Sequence, residues 1–424
     1  MLDSLTGDGK LLQNYRRNFF LLVCDFALFG FGMSFVSMVT ILPVFVSSLT
    51  TSSVAVGMIS SIMILGFNLP QIFVSRKVEA FPKKKPYLMK ITLGERIPWL
   101  LLAILSFAQA SSMEPLLLSS FFILYAVISI SGGLGAPAWL EIVAEAIPET
   151  RRGAFFGISN FASSALSVMG GIAAGLLIQN IAFPLGYGAC FLSAFVIMMA
   201  GYYVFSKVEE IGSLGKKNRA DLQTEGLLSL QIVREDANFR RFLVATLVSG
   251  IGGMASSFFM VHAINVLSLR EQAIGLFTAA FAAAQILSNL LWAYLGDLKG
   301  HKAVLLLSGL LSLLASLVCI FSVDVAGFLI VFLLAGASSS AYMVSAFSIL
   351  MDFAPSERRP TYYGVTGMIR APFAALGPVL GGIIADAMGY PPVFMLSCIA
   401  SAIGAMLLSS VQEPRIWRNK WNGR

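Results

Sequence analysis

The stretch Ile147-Pro148-Glu149-Thr150-Arg151-Arg152, followed by Gly157, returns 207 positions later as Ala354-Pro355-Ser356-Glu357-Arg358-Arg359, followed by Gly364. An acid ends the apolar run before each copy, Glu145 in one and Asp352 in the other, at the same spacing. The long apolar run after each copy keeps register too, with Gly170 matching Gly377 and Gly175 matching Gly382. A chain that repeats at half its length predicts two similar halves. In a membrane protein that pattern points to a transporter whose halves rock against each other.

Composition places the chain in a membrane. Hydrophobic residues make up 57% and charged residues 12% of its 424 residues, with a mean hydropathy of +0.82. A soluble domain carries about 25% charged residues, so this chain could not cover a water-facing surface. The apolar residues fall into twelve blocks near 18–45, 53–75, 88–109, 115–146, 153–178, 183–206, 242–267, 273–295, 302–322, 326–351, 360–386 and 391–411. Runs of about 18 or more such residues read as spanning helices. The expected class is an all-α membrane protein of twelve transmembrane helices in two pseudo-symmetric six-helix bundles. The bundles are expected at 1–206 and 242–411, with a linker at 207–241 and a tail at 412–424. The first block is too long for a signal-peptide core and has no A-x-A-like site at its end, so it is read as a retained span.

Charge sets the expected orientation. With a cytoplasmic N-terminus, 26 of the 29 Lys and Arg residues fall on the inner side, among them Arg16, Arg17, Lys83, Lys84, Lys85, Lys216 and Lys217. Only Arg270 falls outside, and Arg96 and Arg370 lie within spans. This bias predicts two cytoplasmic termini in a cell (inner) membrane. It also accounts for the net charge of +7 without a nucleic-acid partner. The four cysteines all sit in apolar runs, and no Cys/His spacing suits a metal. No cofactor or metal is expected. The linker carries thirteen charged residues. In the tail Trp417 and Trp421 alternate with basic residues, a pattern that suits either the headgroup layer or a disordered tail.

Twelve spans, a central linker and a half-length repeat together resemble the major facilitator superfamily. Gly296-Asp297-Leu298-Lys299-Gly300-His301-Lys302, between the eighth and ninth spans, is similar to that family's cytoplasmic G-x-x-x-D-R-x-G-R-R loop in its Asp, second Gly and basic end. The first-half counterpart, Ser75 to Lys85, keeps the basic charge but has neither Gly nor Asp. Gly377-Pro378-Val379-Leu380-Gly381-Gly382 matches a G-P-x-x-G-G pattern that drug/proton antiporters of the family carry in the fifth span, but here it stands in the eleventh. Close helix packing and antiporter function are both open readings of it. The resemblance implies alternating access around a central cavity and a small-molecule substrate, and is nearly silent on which one.

Ionisable groups within spans are functional candidates by default, because each is costly unless paired or wet. Asp25, about 12 Å up the first helix from Arg17 and among Phe26, Phe29 and Phe31, is a candidate proton carrier or substrate contact. Glu141 shares a helix face with Glu145 and has no acidic counterpart, since the repeat puts Ser348 there; it is the second proton candidate. Glu145 and Asp352, each followed by an Arg-Arg pair, are expected gate parts with Arg151, Arg152, Arg358, Arg359 and Asp297. Arg370, about 16 Å along its helix from Arg359, cannot shed its charge and must face an acid, a wet cavity or an anionic solute. Tyr342 and Met343, beside Ser338-Ser339-Ser340, join it as candidate substrate contacts. Glu95 and Arg96 are adjacent, so helix geometry favours pairing with neighbouring spans over pairing with each other.

The expected function is a secondary active transporter, proton-coupled with Na⁺ as an alternative driver, moving a small organic solute of amphipathic or drug-like character. Uptake of an organic anion or nutrient by symport is a second reading; a non-transporting sensor or lipid scramblase is a third. Walker A, H-E-x-x-H and G-x-S-x-G signatures are absent, which argues against ATP-driven transport and intramembrane enzymes. The lipid bilayer is the expected surrounding and a monomer the expected state.

Overall fold

The computed structural model describes residues 2–79, 81–108, 114–210, 232–268, 272–354 and 359–414. The Lys216/Lys217/Arg219 cluster, Arg270, Arg358 and the Trp-bearing tail therefore lie outside the described residues. Without water in the hydrocarbon layer, backbone amides must bond within their own segment, and a helix is the one open-chain solution. Twelve described helical segments are long and apolar enough to cross: Tyr15–Ser34, Ser53–Gln71, Lys85–Ala108, Pro115–Ala146, Arg151–Asn180, Leu185–Ser206, Ala237–Leu267, Ile274–Lys299, His301–Phe321, Val325–Phe353, Tyr362–Met388 and Tyr390–Ser409. They are called the first to twelfth spans in that order.

The duplication is visible in packing. Positions 207 apart take the same place in the core of their own half: Ile142 and Ile349, Val143 and Leu350, Ile147 and Ala354, Phe155 and Tyr362 are all buried. At the last spans the offset becomes 203, pairing buried Phe205 with Leu408 and Val208 with Val411. At the first spans it becomes 220, pairing Leu22 with Phe242. Both first spans also break near the same relative point. The first helix ends at Ser34 and resumes as Ile41–Leu49. The seventh runs through a 3-10 turn at Gly253–Ser257 and resumes as Phe259–Leu267.

A pair of asparagines repeats a hydrogen-bonding device. Asn18 donates to the Glu209 carbonyl at 2.8 Å and accepts from the Glu209 amide at 3.0 Å. Asn238 does the same with Gln412, at 3.0 and 2.8 Å. Each amide side chain thus ties the start of its half to the end of it, satisfying a backbone donor and acceptor that have just left a helix. A carboxylate follows in each case. Glu210 accepts from the Lys84 and Lys85 amides at the start of the third span. Glu413 lies against Gly300 at the start of the ninth. Gly300 has φ +87°, a conformation that a side chain would strain, so the second glycine of the loop motif is set by backbone geometry.

The described helices divide into two compact units. One holds the residues up to Val36 and from Pro70 to Lys217; the other holds Ser37–Leu69 and those from Asn218 on, so the division falls within the linker. It also falls at the break in the first span and midway along the second. Within the second of these units the G-P-x-x-G-G stretch has a definite task. A side chain at Gly382 would strike the backbone of Ser53 and Val54, and one at Gly57 would strike the Pro378 carbonyl. Small residues on both helices allow that approach, and Ser61 Oγ bridges it by donating to the Ala375 carbonyl at 2.6 Å.

The asparagine device yields a prediction. Asn238→Ala removes two part-buried hydrogen bonds to the Gln412 backbone, each contributing about 0.5–1.5 kcal/mol. Its melting midpoint in detergent should fall by several degrees, and Asn18→Ala should lose a similar amount. Midpoints equal to the parent's would show the two ties to be dispensable.

Candidate functional site

The first span brings Asp25 into a buried polar group. Its carboxylate is 5% exposed and accepts from the Trp139 indole Nε1 of the fourth span at 3.3 Å. Gly201 of the sixth span lies beside it, and a Cβ there would stand 3.5 Å from Asp25 Oδ1. The Arg96 guanidinium of the third span lies within electrostatic reach of Asp25. Arg96 is itself buried. It donates to the Met198 carbonyl at 3.2 Å and the Thr92 carbonyl at 2.9 Å, and its charge stands over the rings of Phe29 and Tyr202 at 5.8 and 5.4 Å. Glu95 reaches Arg96 at 3.5 Å. The adjacent pair does meet, while Arg96 also bonds a neighbouring span: long side chains bend across the roughly 100° that separates their origins. The group holds two acids and one base, and nothing in the sequence marks the indole as a partner for Asp25.

A second group forms where the third span begins and the fourth ends. Lys84, 1% exposed, pairs closely with Glu145 and reaches Glu141 at 3.9 Å. Glu145 Oε2 is buried without a hydrogen-bond partner. Arg152 turns back to donate to the Ala144 and Ile147 carbonyls at 2.7 and 3.2 Å. It thereby caps the orphan carbonyls at the end of the fourth span, and Arg151 is exposed. A loop lysine thus meets the duplicated acid. In the other half Asp352 is half-buried at the end of the tenth span and Asp297 exposed at the end of the eighth. The helix containing Arg359 is described but its side chain is not. His301 is buried and faces Ser345 at 3.3 Å.

The third group joins two residues that the sequence singled out separately. The Arg370 guanidinium of the eleventh span stacks over the Tyr342 ring of the tenth, 4.6 Å from its centroid. Its Nε is buried with no hydrogen-bond partner, and among the described residues no carboxylate pairs with it. Met343, the residue after Tyr342, is 62% exposed. Ring stacking holds the guanidinium's position while leaving its in-plane donors unused.

Asp386, near the end of the eleventh span, is a carboxylate that sequence reasoning passed over. It accepts from the Ser53 amide at 2.5 Å, the Ser52 hydroxyl at 3.0 Å and the Val54 amide at 3.4 Å. Its place beside the span's predicted end gives it the look of an ordinary flanking charge. Among the described residues no cluster of His, Cys, Asp and Glu could hold a metal.

Comparison with known proteins agrees with this architecture. The Major Facilitator Superfamily model matches residues 24–270 and 242–422. The efflux pump dotC of Dothistroma septosporum is 29% identical over 119 residues, 28% of this chain and 20% of that protein. Multidrug resistance protein 3 of Bacillus subtilis is 28% identical over 150 residues, 34% of this chain and 29% of that protein. The matched stretches thus span less than a third of either relative. A solved D-xylose-proton symporter superposes with a TM-score of 0.69 at 12% identity, covering 94% of this chain and 98% of its own, a likeness of fold alone. Two overlapping family matches that together cover nearly all of the chain, on twelve spans with a visible internal repeat, make this protein a member of the Major Facilitator Superfamily of transporters.

Proposed function

We propose that the protein is a proton-coupled secondary active transporter that exports a small amphipathic organic solute from the cytoplasm by alternating access, as a monomer with both termini inside. The observation that carries the coupling is Asp25. It is a carboxylate buried inside the first unit, held by an indole and set near one guanidinium that a second acid shares. A group of two acids and one base in low dielectric is most readily neutral with one proton on board. Loss of that proton leaves a net buried charge that favours rearrangement. Glu141 is the second proton candidate; its pairing with Lys84 and half-exposed position fit it equally to the gate formed with Glu145. The remaining gate roles stay with Arg151, Arg152, Asp297, Asp352, Arg358 and Arg359.

Export is supported by relatives named as efflux and multidrug resistance proteins. Orientation is supported by the charge bias of the loops. Solute contact falls to Arg370 and Tyr342, with Met343 as a flexible apolar neighbour. The unused donors of Arg370 favour one variant of this reading, in which the solute carries a negative group. The family and fold are those of transporters rather than enzymes.

Proteoliposomes with an imposed pH gradient test the coupling. The parent should concentrate a lipophilic fluorescent dye when the gradient is applied and lose that ability when it is collapsed. Asp25→Asn should exchange dye downhill but gain nothing from the gradient, and Glu141→Gln tested alongside would assign the second acid. Full gradient-driven uptake by both variants would remove these carboxylates from the coupling. For the solute site, Arg370→Lys keeps the charge but not the stacking. It should raise the half-saturating concentration of a fluorescent organic anion roughly threefold to thirtyfold and leave a cationic dye unaffected. Equal effects on both dyes would reduce Arg370 to a structural residue.

A further inference from the structure

Asp386 carries an inference of its own. The second span begins at Ser53, and the first amides of any helix have no partner within it. Ser52 stands at the position where a serine hydroxyl ordinarily accepts from those amides. Here it does not cap. Its hydroxyl donates instead to Asp386, which also takes the Ser53 and Val54 amides. The second span thus has a cap residue in its own sequence but takes its cap from a carboxylate 333 positions away. Tyr390 adds a contact to the Ser53 hydroxyl at 3.3 Å.

The seam behind this carboxylate is lined by small residues. Gly57 meets Pro378, Gly382 meets Ser53 and Val54, Ser60 meets Ser257 at 2.7 Å, and Ser61 meets the Ala375 carbonyl. These contacts are made by small residues and backbone, with the Phe258 ring lying against Gly57 and Gly381 at their edge. Hydroxyls in them can return to their own helix or to water. The Ser61 hydroxyl already reaches its own helix, at the Gly57 carbonyl. The repeat puts Gln179 where Asp386 stands, so the fold does not require an acid there.

We propose that Asp386 is the latch of the outer gate. In the orientation proposed above, these helix ends face the outside. A carboxylate on the eleventh span clasps the free amides of the second and holds that side shut. When the seam parts, Ser52 turns its hydroxyl oxygen back to the amides of its own helix. Neither state then leaves orphan donors, so the helix end is bistable rather than merely broken. The latch rests on alternating access but on neither the solute nor the coupling ion.

The test uses Ser60→Cys in the full chain, displayed in cells and labelled from outside with a membrane-impermeant thiol reagent. The unsubstituted chain sets the background from its four native cysteines. Ser60 is buried in the seam, so its labelling rate reports opening. Asp386→Ala in this background should label at least about tenfold faster, as charge-assisted hydrogen bonds to the amides are lost. Asp386→Glu, which keeps the carboxylate, should stay nearer the parent. Should Asp386→Ala fail to reach the membrane, the isosteric Asp386→Asn carries the same expectation. Unchanged labelling in the variant that reaches the membrane would overturn the latch. That result would leave the transport reading untouched, because the assay needs neither a solute nor a proton gradient.

Discussion

A polar group in hydrocarbon has no water to turn to, and the whole molecule follows from that constraint. Backbone amides are confined to helices, and where a helix stops a side chain must finish the pairing. Asn18 and Asn238 do so at the ends of their halves, Arg152 at the end of the fourth span, and Glu210 and Asp386 at the starts of the third and second. A helix terminus left open where water cannot reach it is costly. The sites where helices end are therefore the sites where a few side chains control the structure.

The same constraint concentrates the mechanism. Charges within spans are few, and the structure sorts them into groups with different surroundings. Asp25, Glu95 and Arg96 are enclosed by aromatic rings and a glycine of the sixth span. Lys84 holds two acids near an end of its helix. Arg370 has a ring beneath it and, among the described residues, no acid paired with it. An enclosed group with surplus acid suits a proton, a group at a helix end suits a gate, and a cation lacking a counter-ion suits a ligand. The division of labour in the proposed cycle rests on these differences in burial and pairing rather than on residue type.

Duplication shaped the core more completely than the polar groups. Core positions repeat faithfully, as Ile142 with Ile349 and Phe155 with Tyr362 show. Polar positions repeat only in part: Glu145 answers to Asp352 and Asn18 to Asn238, but Glu141 answers to Ser348 and Asp386 to Gln179. A packed core tolerates little change in volume at either copy. The proposed pathway for one solute and one ion has no need of two equal halves, which leaves such acids free to differ between them.

The sequence alone determined the twelve helices, the repeat and the membrane setting, because hydropathy, charge bias and internal similarity are written along the chain. It also named Asp25 and Arg370, since a charge in an apolar run stands out without any structure. The Asn-Phe pair that opens both the first and seventh spans was a legible signal for the asparagine device, though its partners were not. Tertiary structure decided what each group meets: Trp139 for Asp25, Lys84 for Glu145, Tyr342 for Arg370, and the second span's amides for Asp386. Those partners lie tens to hundreds of residues apart. No periodicity links them, and only the packing of one helix face against another brings their atoms within reach.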